Sequence, residues 1–131
     1  MQRRRLRHLA ATAALLAAVT GSAHGAEWQV KPGESIQAAI AHAAPGDTIR
    51  VARGRYPENL RIDKPVKLIG IDRPTVDGGG KGDTVRIVAT DVSFEGFIVA
   101  DSGGDLGAQN AGVYIQPGAH RARVIRCDFS Y

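Results

Sequence analysis

The chain has 131 residues, of which 44% are hydrophobic and 5% aromatic, with a formal net charge of +4. That length suffices for one domain. Four of the 17 basic residues (Arg3, Arg4, Arg5 and Arg7) and none of the 13 acidic ones lie within residues 1–25, so the remainder is balanced and lacks the basic field that a nucleic-acid or anionic-membrane partner needs.

The basic head is followed by the apolar run "LAATAALLAAV" and the small-residue stretch "TGSAHGA". This pattern predicts a secretory signal peptide over residues 1–25, cleaved after Gly25, with Ala23 and Gly25 in the two small-residue positions. The apolar run is too short to span a bilayer. The residues around "RRRLR" fit twin-arginine export poorly, so ordinary secretion is expected, and the processed protein is not membrane-spanning. No cysteine stands near the cleavage point to carry a lipid. Cys127 is the single cysteine, which excludes an internal disulfide, and it reads as a small filler in a strand.

Residues 26–131 form the predicted domain. In "ESIQAAIAHAAPGD", Ser35 can cap a helix whose Ile36, Ala39, Ile40 and Ala43 fall on one face, and Pro45-Gly46 ends it. The stripe is narrow and mostly alanine, so the helix over 35–44 must lie close to something flat. His42 projects from its far side and reads as solvated.

After Gly46 the chain reads as short strands broken by turns, with alternating apolar residues such as Ile49 and Val51 or Leu60 and Ile62. Alternation fits hairpins equally well; spacing discriminates. Leu60 and Ile62 recur as Val85 and Ile87, then as Val113 and Ile115. Val66 and Leu68 recur as Val92 and Phe94, then as Val124 and Ile125. A weaker series links Ile49, Val76 and Ile98. Three series sharing a period of roughly 25 predict an all-β solenoid with three faces. The expected fold is a right-handed, single-stranded parallel β-helix of the pectin-lyase type, with about two and a half coils and an N-terminal capping helix. The sequence stops within a predicted strand with no polar cap, so the domain is expected to be truncated at its C-terminus or covered there by a partner.

"SGGDLGAQNAGVYI", residues 102–115, lengthens one coil at a corner. Its glycines permit positive backbone dihedrals, and Asp101, Asp105 and Asn110 can bond nearby amides as turn stabilisers. This outward loop is a candidate partner contact. Asp101 and Asp105 could also form an acid–base pair for glycoside cleavage, or bind calcium. The chain has no run of alternating aspartates there and no arginine close by in sequence. No catalytic residue is therefore assigned.

Together, "IQAAIAHAAPGDTIRVARGRYPENLRIDKPVKLIG", "TVDGGGKGDTVRI" and "SGGDLGAQNAGVYI" resemble the N-terminal part of the NosD family. The first two stretches are similar to the opening of many β-helix proteins of the carbohydrate-binding and sugar-hydrolase type. The third is similar to the NosD pattern, a serine-glycine turn, then Asp105-Leu106-Gly107, then Ala111-Gly112 leading into a strand. The family often carries an acidic residue where Asn110 stands. The resemblance implies a periplasmic, non-enzymatic scaffold acting with ABC transporter subunits in the maturation of nitrous-oxide reductase, and it makes copper a possible cofactor. Copper prefers thiolate, thioether and imidazole; past the signal peptide only His42, His120 and Cys127 offer these, and no metal ligand is assigned. A polysaccharide lyase or glycoside hydrolase, and a sugar-binding module, are the alternatives on the same fold.

Overall fold

A computed structural model describes residues 25–104 and 110–130. It is mostly β, with three parallel sheets and one short helix, an arrangement compatible with a parallel β-helix. The elements in chain order are β1 (Glu27–Val30), α1 (Ile36–His42), β2 (Thr48–Val51), β3 (Arg55–Tyr56), β4 (Leu60–Ile62), β5 (Lys67–Gly70) and β6 (Thr75–Asp77). They continue with β7 (Val85–Ile87), β8 (Ser93–Glu95), β9 (Ile98–Ala100), β10 (Val113–Ile115), β11 (Arg123–Ile125) and β12 (Asp128–Ser130). One sheet runs β1-β2-β5-β8-β11, the second β3-β6-β9-β12 and the third β4-β7-β10, so from β2 onward the chain visits the three in strict rotation. Every strand pair is parallel. Among the described residues no helix is long and apolar enough to cross a membrane.

The register stacks like on like. Leu60, Val85 and Val113 form one inward column and Ile62, Ile87 and Ile115 another, as the spacing predicts. Trp28, Ile49, Leu68, Phe94 and Val124 line the second wall. Tyr56, Val76, Val99 and Phe129 line the third. Most of these side chains are fully buried, and the core is a narrow apolar shaft between the three walls. Phe94 and Phe97 stack across one corner with ring centroids 4.3 Å apart.

Two readings of the sequence are corrected. The weaker series does not form one column: Ile49 stacks on Leu68, Val76 on Tyr56 and Val99, and Ile98 pairs with Thr75. Corner lengths vary from coil to coil, so equal spacing there does not mean equal wall. Val124 stacks on Phe94, whereas Ile125 pairs with the outward Glu95. A strand, in a stretch to which the sequence reading assigned no element, precedes the helix: β1 pairs with β2 along its whole length. The chain passes from β8 to β9 through the left-handed Gly96 (φ 83°) and from β11 to β12 through the left-handed Arg126 (φ 50°).

The helix forms where the capping residues place it. Ser35 Oγ accepts the Ala38 N–H at 3.0 Å, and Glu58 accepts the N–H groups of Ile36 at 2.8 Å and Gln37 at 3.2 Å. At the other end Lys64 Nζ donates to the carbonyls of Ala41 at 2.9 Å and Ala43 at 2.7 Å. The orphan groups of both termini are thus met by an anion and a cation of the next coil, in the sense that the helix dipole favours. Ile36 and Ile40 are fully buried beneath it. His42 is exposed and stacks on Trp28, with ring centroids 6.3 Å apart.

Candidate functional site

The sheet β4-β7-β10 turns Leu60, Ile62, Val85 and Ile87 inward. The middle residue of each three-residue strand must then face out. Those residues are Arg61, Arg86 and Tyr114, aligned by the register in one column. Neighbouring strands lie about 4.8 Å apart, which fixes the rise of that column. The Arg86 guanidinium carbon sits 4.6 Å from the centre of the Tyr114 ring, a cation–π contact.

The glycine-rich corner between β6 and β7 walls this face. Asn59 Nδ2 closes it by donating to the carbonyls of Gly78 at 3.2 Å, Lys81 at 2.8 Å and Asp83 at 3.0 Å. Asp83 then works in two directions. One oxygen accepts from Arg86 Nη2 at 2.9 Å and Nε at 3.2 Å, and the other accepts the Ala111 N–H at 2.8 Å. Arg86 is thereby held over Tyr114 rather than left to sweep solvent. The result is an open groove of about 400 Å³ lined by Asn59, Arg61, Lys81, Asp83, Arg86 and Asn110. Three cations against one carboxylate give it a positive character.

The candidate residues of the loop lie in separate settings. Asn110 lines the groove, its amide packed over Gly103 so closely that a Cβ there would fall 2.2 Å from Nδ2. Asp101 occupies a left-handed corner (φ 54°) after β9, where its carboxylate lies 3.4 Å from Arg55. Arg55 also pairs with Asp77, so one guanidinium joins carboxylates from two coils. Asp105 lies outside the described residues. The Gly79 N–H, donating to Asp77 at 2.8 Å, and the Arg55 charge hold the Asp77 carboxyl below the usual carboxylate range against the opposing effect of burial. Asp77 is therefore ionised at neutral pH and a poor proton donor.

Arg61, Arg86 and Tyr114 were missed as site residues by sequence reasoning. The signal was present: the same spacing that matches Leu60/Ile62 with Val85/Ile87 and Val113/Ile115 places the residue between each pair outward.

The resemblance makes copper a possible cofactor, and the described soft donors do not fit it. His120 and Cys127 flank opposite ends of β11, and the Cys127 sulfur lies against the carbonyls of Ile125 at 3.4 Å and Phe94 at 3.7 Å. His42 is on the helix. Among the described residues no group of three or more His, Cys, Asp or Glu side chains could hold a metal ion.

No family model matches the chain. It is similar to one curated protein. That protein is the probable ABC transporter binding protein NosD of Stutzerimonas stutzeri, 32% identical over 75 residues, which are 57% of this chain and 17% of the relative. The matched region thus spans about a sixth of the relative's length. The likeness supports a possible NosD-like relationship, and the parallel sheets agree with the fold expected from it.

Proposed function

We propose that this chain is a periplasmic, non-enzymatic docking scaffold, a right-handed parallel β-helix that works with an ABC-type transporter in the maturation of nitrous-oxide reductase. The observation that carries this reading is the 75-residue similarity to a protein named as an ABC transporter binding protein. The N-terminal basic head and apolar run support export to the periplasm. A right-handed wind is the hand that parallel strands joined by crossovers adopt. The commitment of Asp77 and Asp101 to Arg55 supports a role without acid–base chemistry. Copper in this reading belongs to the reductase, and no copper ligand is assigned to this chain.

The docking surface in this reading is the face of β4, β7 and β10. Arginine and tyrosine are enriched at protein interfaces because each offers a large, partly apolar contact area together with a polar tip. Arg61, Arg86 and Tyr114 present both on a rigid ladder, and the positive groove suits an acidic partner. The test is co-purification of the apo reductase with the tagged full chain from cells that make both. Capture is expected; its absence overturns the reading.

A second reading, a sugar-binding or sugar-cleaving face, rests on the same groove, because an aromatic ring flanked by arginines and amides also suits an anionic glycan. Incubation with acidic polysaccharides separates the two. Retention of the glycan, or release of reducing or unsaturated ends, favours this second reading over the first.

A further inference from the structure

Asp47 is a buried carboxylate, 5% exposed, at the junction of α1, β1 and β2. Its Oδ2 accepts the indole N–H of Trp28 at 2.9 Å and the backbone N–H of Ala44 at 2.8 Å. Its Oδ1 accepts the backbone N–H of Ala26 at 2.8 Å. Among the described residues no lysine or arginine forms an ion pair with it. Lys64, whose charge acts on it, has its ammonium bonded to the carbonyls of Ala41 and Ala43. Three N–H donors hold the carboxylate, but they are dipoles rather than a full counter-charge, and buried carboxylates are usually paired with one.

The missing charge can come from Ala26. The N-terminal segment predicts peptidase cleavage after Gly25, which would turn the nitrogen 2.8 Å from Asp47 into an α-ammonium. Ala26 is already in place for this, because its carbonyl accepts the Thr48 N–H at 3.0 Å in the first rung of the β1–β2 ladder.

We propose that Asp47 is the receptor for the protein's own processed N-terminus, so that removal of the leader completes a partly buried ion pair between Ala26 and Asp47. The step is a hydrolysis by a signal peptidase. Water adds across the Gly25–Ala26 amide, the C–N bond breaks, Gly25 departs with the leader as a carboxylate, and the Ala26 nitrogen takes up protons as the ammonium. Before cleavage Asp47 holds a neutral N–H; afterwards it holds a charged donor, which makes the stronger bond. The inference shares with the proposed function only export across the membrane.

Other charges around the pair are accounted for. Glu27 and Arg50 pair with one another at 3.4 Å. Lys67 and Asp91 border the shallow cleft beside Asp47, and His42 stacks on the far side of Trp28. An ammonium facing Asp47 would be stabilised, so its titration is expected above the ordinary α-amino range of about 7.7–8.0. The stability it contributes is complete below the unfolded-state pKa and is lost as pH rises through the folded-state value.

The test uses the full chain, expressed with its leader in an exporting bacterium and purified from the periplasm. Mass spectrometry reads the first residue, and NMR of the ¹³C-methylated α-amine reads its titration. Ala26 is expected as the terminus, with the amine titrating about one pH unit or more above its ordinary value and returning to that value in Asp47→Asn. If Asp47→Asn does not fold, titration of the wild-type amine alone decides. A different first residue, a retained leader, or an amine titrating at its ordinary value overturns the proposal. An Ala26 terminus with a raised pKa but no capture of the reductase would sink the maturation role and leave this inference standing.

Discussion

The side-chain amide of Gln37 pairs with both backbone polar groups of Arg61: Nε2 donates to the carbonyl at 3.0 Å, and Oε1 accepts the N–H at 2.8 Å. A glutamine on a helix thus takes the place of a neighbouring strand along the outer edge of β4. Glu58 and Lys64, just before and after β4, hold the two ends of the same helix. The edge that would otherwise offer free backbone groups for pairing is sealed.

Replacing Gln37 with leucine removes both bonds while keeping the side chain's bulk. The contacts are partly solvated, so a loss of about 1 kcal/mol is expected, measured by urea unfolding. Gln37→Glu should cost at least as much, since a carboxylate cannot donate to the Arg61 carbonyl. An unchanged urea midpoint in both variants would show that the seal contributes nothing.

Asp47 should make the fold acid-sensitive. Burial pushes its carboxyl up, but the N–H groups of Ala44, Trp28 and Ala26 and the charge of Lys64 outweigh that and hold it below its ordinary value. A carboxylate depressed in the folded state stabilises above its unfolded pKa of about 3.9, and that contribution disappears as pH falls through the lower folded value. Asp47→Ala, which orphans the Trp28 indole and two backbone donors, should cost about 2–4 kcal/mol at neutral pH and flatten the acid limb of the stability–pH curve. Thermal melts between pH 2 and 7 check both effects.

Gly96 turns the chain from β8 to β9 with φ 83°, and a Cβ on it would sit 2.8 Å from the Gly70 carbonyl oxygen in the coil above. Gly96→Ala therefore meets a strained backbone and a close backbone contact together. A loss of about 2–3 kcal/mol is expected, read as a fall in melting temperature. Alanine at Gly79, where φ is +67° and nothing lies within 4 Å of a Cβ, isolates the backbone strain and should cost less.

Arg86→Glu reverses the charge at the centre of the outward column and puts a carboxylate beside Asp83, and Tyr114→Ala removes the ring beneath it. If this face docks an acidic partner, each variant should weaken capture of the reductase about tenfold or more, which corresponds to ~1.4 kcal/mol. Circular dichroism should show the parallel-sheet signal retained, because neither side chain belongs to the core. Undiminished capture by both variants would move the docking surface elsewhere.

Much of the fold was legible because inward columns repeat residue type. Leu60/Ile62, Val85/Ile87 and Val113/Ile115 share a wall in both sequence and structure. Ser35, with the stripe of Ile36, Ala39, Ile40 and Ala43, likewise announced its helix. The corners were legible only in part: Asp101 was identified as a turn residue, but left-handed geometry also falls on Arg73, Arg121 and Arg126, whose side chains do not flag a turn. Nor was the pinning of the helix by Glu58 and Lys64, which depends on which coil lies beneath. For the candidate site, Asn110 was identified from its loop. The arginine–tyrosine column was hidden because attention to the inward pairs passes over the residue between them.

A stack shut at one end by a helix has a direction. On the β4 wall new strands can be laid only on the rung made last, since the first rung is already occupied by Gln37. Such a chain can zip up in the order in which it is synthesised, each finished coil serving as the template for the next and none waiting for a distant segment to arrive.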